Sequence, residues 1–359
     1  MKSSVFVIAE AGVNHNGSLD QALLLIEEAA KAGADAVKFQ TFKAERLVTP
    51  EAAKADYQKV TTSADESQFA MLKRLELNEE AHFQLVHRCR EIGIEFISTP
   101  FDIESLTFLV EQCRVRRLKL SSGELTNGPL LLAAARTGLP ILLSTGMATL
   151  GEIEQALAVL AFGYLRQTGH PTRESLIESL VSAAGRSVLR ERVTLLHCTS
   201  EYPAPLEEVN LCSMNTMETA FGLAVGYSDH TDGIAVSLAA VARGASVVEK
   251  HFTLDRSLPG PDHASSLEPH ELAAMVKGIR EVETALGAAM KLPSSSEIRN
   301  RVPVRKSIVA RTTIRPGEVY SEDNLAVMRP GDGLSPMHYW ELLGRPASRA
   351  YLPHEKIEG

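Results

Sequence analysis

The sequence predicts an α/β chain, a (β/α)8 barrel followed by a small second domain. Three observations carry that expectation. Eight short aliphatic runs alternate with segments of helical spacing, polar and charged residues recur where those runs end, and the composition changes after Pro293-Ser-Ser-Ser-Glu297. Alternating strand and helix implies a parallel sheet, with a doubly wound open sheet as the alternative to a barrel. A length of 359 residues accommodates one large barrel with an appendage. The expected division is 1–288 for the barrel, 289–300 for a linker and 301–359 for the small domain.

The elements follow from local pattern. Val5–Glu10 is a strand, and Ser18 or Asp20 caps a helix running through Lys31. Ala36–Phe39 is the second strand, followed by a polar stretch, Phe42–Gln68, long enough to be a lid or binding loop, before a helical pattern into Leu72–Leu77. Helix Glu79–Glu91, strand Glu95–Ser98, helix Ile103–Gln112 and strand Arg117–Leu120 come next. Helix Leu130–Arg136 precedes strand Ile141–Leu143, and helix Leu150–Ala161 precedes an apparent insertion, Gly163–Leu189, with its own helix. Strand Val193–Leu196 leads to the last strand–helix–strand unit, Leu223–Gly226, Gly233–Arg243 and Ser246–Val248, covered by helix His270–Leu286. In the small domain, Ser307–Ala310 and Asn324–Met328 are strands, with a short amphipathic helix near Met337–Leu343.

Composition excludes several classes. Hydrophobic content of 44% and charged content of 23% are ordinary for a globular enzyme. A net charge of −8 gives no reason to expect nucleic acid or an anionic membrane, so an anionic ligand must be held by local lysines and backbone amides. Cys89, Cys113, Cys198 and Cys212 lack paired spacing and read as free thiols in a reducing compartment. With no signal segment and no membrane-spanning run, the expected location is the cytoplasm.

In a barrel, strand ends converge on one pocket although they are distant in sequence. Glu10, Lys38, Thr99, Lys119, Ser144, His197, Ser228 with His230, and Glu249 with His251 all fall there. His230 and His251, with Asp229, Glu249 and Asp262 nearby, make a divalent-metal site plausible, although imidazole alone does not choose the metal. Asp229 is expected to orient a histidine. Lys38, Lys119 and the Ser/Thr-Gly turns suit a phosphate or carboxylate. Glu10 and Glu249 are acid/base candidates if burial raises their pKa values. Glu124 is either a further candidate or a capping residue; His197 is read as a core histidine, and His15 is open to the same reading.

Ordered motifs run along nearly the whole chain, and with Ile-Ala-Glu-Ala-Gly-Val-Asn-His-Asn-Gly (8–17), Val-Lys-Phe-Gln-Thr (37–41), Ile-Ser-Thr-Pro-Phe-Asp (97–102) and Ser-Ser-Gly-Glu (121–124) it resembles the bacterial sialic acid synthase family. The resemblance continues in Leu-Ser-Thr-Gly-Met (143–147), His-Cys-Thr-Ser-Glu-Tyr-Pro (197–203), Gly-Tyr-Ser-Asp-His-Thr (226–231), Glu-Lys-His-Phe-Thr (249–253), Gly-Pro-Asp-His (260–263), Arg-Lys-Ser-Ile-Val-Ala (305–310) and Arg-Pro-Gly (329–331). The resemblance implies a (β/α)8 barrel with an antifreeze-like (SAF) domain. It implies condensation of phosphoenolpyruvate with an open-chain N-acylmannosamine-type sugar to a nine-carbon 2-keto acid and phosphate. His230 and His251 would hold the divalent ion, typically manganese, with magnesium or cobalt as alternatives. Lys38, Thr99, Lys119, Ser122, Ser144 and Ser228 would bind the anionic groups; Gln40, Tyr202 and Asp262 would contact the sugar. Glu10 would handle the water or its proton, supported by Glu249 and Glu124. Arg329 would reach the partner's pocket in a homodimer with swapped SAF domains. Thr199-Ser200 and Thr61-Thr62-Ser63, where N-acetylneuraminate-forming relatives commonly carry asparagine, favour a legionaminic-acid-type synthase acting on a 2,4-diacetamido-2,4,6-trideoxy-mannose. A Schiff-base aldolase using Lys38 or Lys119 is the competing reading.

Overall fold

The computed structural model describes residues 4–54, 66–166 and 168–358, which form two compact units, 1–287 and 288–359. The first holds eight parallel strands: β1 (Phe6–Gly12), β2 (Ala36–Thr41), β3 (Glu95–Pro100), β4 (Leu118–Leu120), β5 (Ile141–Ser144), β6 (Val193–His197), β7 (Ala224–Asp229) and β8 (Val247–His251). Their hydrogen-bonded order is β3-β2-β1-β8-β7-β6-β5-β4, and β4 packs back on β3. A cyclic order with the first and last strands paired is that of a barrel and excludes the doubly wound sheet.

Period-two alternation sorts each strand into two faces. Outward side chains such as Val7, Val37, Leu118, Leu143, Leu195, Val225 and Val248 join the main core beneath the helices. Inward ones form layers. The lower layer is apolar, with Ile8, Ala36, Ile97, Leu142, Leu196 and Val247 packed together. Two residues further along each strand the inward positions become Glu10, Lys38, Thr99, Ser144, Ser228 and Glu249. The apolar layer is therefore the floor of whatever site lies above it. Leu196→Ala should cost about 2–5 kcal/mol, read as a lowered urea midpoint, because the closed ring cannot collapse onto the cavity.

The strands run further than the aliphatic pattern predicts. Glu249, Lys250 and His251 belong to β8 itself, and Asp229 ends β7. Hydrophobicity stops earlier because the inward positions turn polar while the backbone ladder continues. Other elements also differ from expectation. Helix Ile103–Phe108 gives way to a π-helical turn, Leu109–Cys113. The insertion holds two helices, Arg173–Val181 and Ala183–Arg192. Helix Ser213–Phe221, between β6 and β7, had no counterpart in the sequence reading, its apolar positions being few. The long second loop contributes helices Ala44–Leu47 and Gln68–Leu75; Thr61-Thr62-Ser63 lies outside the described residues.

In the second unit, part of the expected 289–300 linker is helical: Ser294 and Glu297 form a capping box for helix Ser295–Val304. β9 (Ser307–Ala310) pairs antiparallel with β10 (Leu325–Met328) over a small core that includes Ile308, Ile314, Leu325 and Tyr351. Arg329 follows β10 and is exposed. No helix among the described residues is long and apolar enough to cross a membrane.

Candidate active site

Above the apolar floor lies a cavity of about 480 Å³, whose lining includes Glu10, Lys38, Gln40, Thr99, Lys119, Ser122, Ser144, Tyr202, Ser228, His230, Glu249, His251 and Asp262. Thirteen residues singled out from the sequence thus share one space. Glu124 is absent from the lining; its carboxylate accepts a hydrogen bond from Asn127 Nδ2 at 2.6 Å, and Asn127 caps helix Gly128–Arg136. That contact matches the capping alternative raised for it. Arg329 belongs to the second unit.

The centre of the polar wall is a buried charge chain. Lys38 Nζ pairs with Glu10, lies 3.6 Å from Glu249 and donates to Thr99 Oγ1 at 3.2 Å. Lys119 Nζ is 3.4 Å from Glu249 Oε1, which also accepts from Ser228 Oγ at 2.8 Å. Burial raises the Glu10 pKa to about 7 against the pull of Lys38. Burial works in the same direction on Glu249, but Lys119, Lys38 and the Ser228 hydroxyl outweigh it and hold that carboxyl at about 2. Burial depresses the Lys119 ammonium, whereas Glu10 and Glu249 overcome burial at Lys38 and raise it. Two carboxyls of one wall are thereby driven apart, one a fixed anion and the other able to exchange a proton near neutrality. Glu10 Oε1, Glu249 Oε2 and Ser144 Oγ are buried without a hydrogen-bond partner, which suits a polar ligand.

The histidines sit beside this chain. His230 Nδ1 donates to the Thr199 carbonyl at 2.5 Å, leaving Nε2, 3.2 Å from Tyr202 Oη and 3.4 Å from Ser228 Oγ, as the lone-pair nitrogen. Burial lowers the His230 pKa to about 4 and pushes His251 well below its ordinary value, so both rings are neutral at pH 7. Their ring centroids are 5.6 Å apart, and Tyr202 packs on both. His251 Nδ1 is buried without a hydrogen-bond partner, 4.0 Å from Asp262 Oδ2. Neutral imidazoles, one with its tautomer fixed by a carbonyl and one with an unsatisfied nitrogen, fit a divalent transition ion. Among the described residues no group of three or more His, Cys, Asp or Glu is placed to hold a metal ion. Burial raises the Asp262 pKa to about 6.

Loop anatomy explains this placement. β1 bulges between Glu10 and Gly12. Gly12 has φ +53°, and a Cβ there would lie 3.2 Å from Glu10 Oε1 and 3.5 Å from His251 Cε1. Glycine therefore lets the backbone turn beside both groups. Asn14 Nδ2 donates to the Phe252 carbonyl and to Ser266, tying the β1 loop to the β8 loop. His15 accepts from the Gly17 N–H, and His197 donates to the Val209 carbonyl; both are structural, as their sequence context suggested. Cys198 Sγ lies 3.1 Å from Ser122 Oγ, whose other neighbour is the Gly146 N–H.

An apolar cluster in the same lining was missed from sequence. Val13, Leu47, Val48, Met71, Leu72, Leu75 and Phe101 make that part of the lining apolar. Its one visible signal was the spacing of Met71, Leu72 and Leu75 on helix Gln68–Leu75 within a long polar connection. Ser200, from the loop after β6, also lines the cavity.

A closed parallel barrel whose strand ends carry paired lysines, glutamates and histidines defines an enzyme for small anionic substrates. Comparison with known proteins narrows that class. The NeuB family model matches residues 25–291 and the SAF domain model residues 305–357, and the chain belongs to the NeuB family. It is 48% identical over 351 residues to the N,N'-diacetyllegionaminic acid synthase of Campylobacter jejuni, covering 98% of both chains. It is 45% identical to the enzyme of the same name from Legionella pneumophila, covering 94% of this chain and 89% of that one. Among solved structures it resembles the N-acetylneuraminic acid (sialic acid) synthetase of Leptospira borgpetersenii in complex with citrate. That match has 34% identity and a TM-score of 0.67, over 83% of this chain and 90% of that one.

Proposed function

We propose that this chain condenses phosphoenolpyruvate with an open-chain 2,4-diacetamido-2,4,6-trideoxy-mannose and water, giving N,N'-diacetyllegionaminate and phosphate. The observation that carries this reading is the division of one cavity into a charged wall and an apolar wall. The charged wall suits the phosphate and carboxylate of phosphoenolpyruvate. The apolar wall suits a sugar bearing a methyl at C6 and a second acetamido group better than one bearing hydroxyls or a 6-phosphate. Similarity to the two legionaminic acid synthases supports the same choice.

In this reading Lys38, Lys119, Thr99, Ser122, Ser144 and Ser228 hold the anionic groups, with Lys119 supported by Glu249. Gln40, Tyr202 and Asp262 orient the acceptor along the rim. C3 of phosphoenolpyruvate attacks the aldehyde carbon, and its π electrons form the new C–C bond. Water adds to the resulting cation at C2 as Glu10 takes one of its protons; the former aldehyde oxygen gains a proton to become the new hydroxyl, and the C2 hydroxyl gives up its remaining proton as the C2–O bond to phosphate breaks to leave the ketone. His230 and His251 would hold a divalent ion, manganese by family resemblance, which supplies Lewis-acid polarisation of the aldehyde. Arg329 is proposed to serve the cavity of a partner copy in a homodimer, where its planar fork of donors suits an acyl amide.

Phosphate release from a panel of acceptors tests the proposal. The diacetamido-trideoxy sugar should exceed N-acetylmannosamine in kcat/KM by about 10–100-fold, and the 6-phosphate should be poorest. Equal or better turnover of N-acetylmannosamine would overturn the acceptor assignment. Burial lowers the Lys119 ammonium as a Schiff-base lysine requires, so borohydride with pyruvate is the discriminating control. A covalent adduct would favour the aldolase reading, and chelator-sensitive phosphate release the synthase.

A further inference from the structure

Behind the two histidines, on the outer face of the barrel, lies an ion pair that the reaction does not use. Lys250 and Asp229 point away from the cavity among apolar neighbours, both side chains wholly buried, with Lys250 Nζ 3.2 Å from Asp229 Oδ2. The surrounding outward positions of β7 and β8, Val225, Tyr227 and Val248, all belong to the main core. Taking two charges out of water at such a place is costly, and an apolar pair of similar volume would pack without that cost. A role other than stability is called for.

The partners of the pair suggest that role. Asp229 Oδ1 accepts from the Thr231 N–H at 2.9 Å and from Thr231 Oγ1 at 2.7 Å, and Oδ2 accepts from Ser237 Oγ at 2.6 Å. Lys250 Nζ also donates to the Thr231 carbonyl. Thr231 is therefore held at its N–H, hydroxyl and carbonyl, and His230 is the single residue between it and Asp229. Across the ladder Asp229 is the register partner of Lys250, so the next residue in the chain after each of them is a histidine. The ion pair joins β7 to β8 one residue below the two imidazoles, and the Thr199 carbonyl fixes the His230 ring from the other side.

We infer that Lys250 and Asp229 are positioning residues that set the spacing of His230 and His251 and thereby the affinity of this site for a divalent cation. The inference rests on the metal reading given above. Manganese binding to the full-length protein, followed by calorimetry, tests it with Lys250→Met and with the neutral double variant Lys250→Met/Asp229→Asn. Both should weaken the manganese Kd by about 10–100-fold, the range usual for partners that orient metal ligands. Circular dichroism should be unchanged, and the thermal midpoint of the double variant should match or exceed that of the single one. If Lys250→Met fails to fold, the double variant and Ser237→Ala decide, the latter by a several-fold weaker Kd. Folded variants that bind manganese within about twofold of the parent would overturn the inference while leaving the metal reading intact. A parent protein that binds no divalent ion would overturn both.

Discussion

His251→Ala and His230→Ala should each lower kcat for phosphate release by at least about 10³-fold at saturating manganese. That loss corresponds to roughly 4 kcal/mol, within the several kcal/mol that a Lewis acid contributes to a developing alkoxide. The fold should persist. His251 contributes no hydrogen bond through its buried Nδ1, and His230 gives up its bond to the Thr199 carbonyl and its longer Nε2 contacts with Tyr202 and Ser228, about 1 kcal/mol for each bond lost in a core of this size. The two variants should differ in detail. Removing His230 uncovers the Tyr202 ring stacked 4.2 Å from it, so acceptor KM should also rise. Removing His251 opens space beside Gly12, and the effect should fall mainly on kcat. Parental turnover in either variant, with circular dichroism unchanged, would sink the assignment of the pair as metal ligands.

How much of this site could be read from the chain follows from the geometry of a barrel strand. Inward positions recur every second residue, so Ile8 and Glu10, or Val247 and Glu249, announce both the floor and the site in one short run. By the same alternation His197 and Cys198 fall on opposite faces, and His197 turns outward to the Val209 carbonyl. What alternation cannot reveal is a wall contributed by one face of a helix in an insertion. Met71, Leu72 and Leu75 look like ordinary core residues until they are seen clustered with Val13, Leu47 and Phe101 in the lining that also holds the lysines. Lys250 was hidden for the converse reason. A lysine between Glu249 and His251 reads as one more rim residue, whereas its outward direction and complete burial emerge only when β8 is seen to extend through His251. Glu124 misled because a Ser-Ser-Gly-Glu turn can aim its carboxylate either at the cavity or at the following helix cap, and Asn127 decides for the cap.

Glu10→Gln should reduce kcat by about 10²–10⁴-fold, the range for loss of a positioned acid or base, and should also change the shape of the pH profile. Burial holds the Glu10 carboxyl at about 7, so in the free enzyme the proton-accepting form disappears as pH falls through neutrality. For the parent, kcat/KM should therefore drop on the acid side with an inflection near 7. Glutamine cannot titrate, and in the variant that inflection should vanish along with most of the rate. Glu249 gives no such limb, because Lys119, Lys38 and Ser228 keep it ionised down to about pH 2. The rival role for Glu10 is to hold the Lys38 ammonium in place for the substrate anion, since the two are directly paired. The two roles separate in the kinetics. A holder of Lys38 would show its loss mainly in KM for phosphoenolpyruvate and would leave the acid inflection where it was. A proton acceptor shows its loss in kcat and takes the inflection with it. Glu10→Asp sharpens the contrast: one methylene shorter, it keeps a titrating carboxyl and should retain an acid limb at a reduced rate. If the limb survives in the glutamine variant, the proton passes elsewhere and Glu10 is only the partner of Lys38.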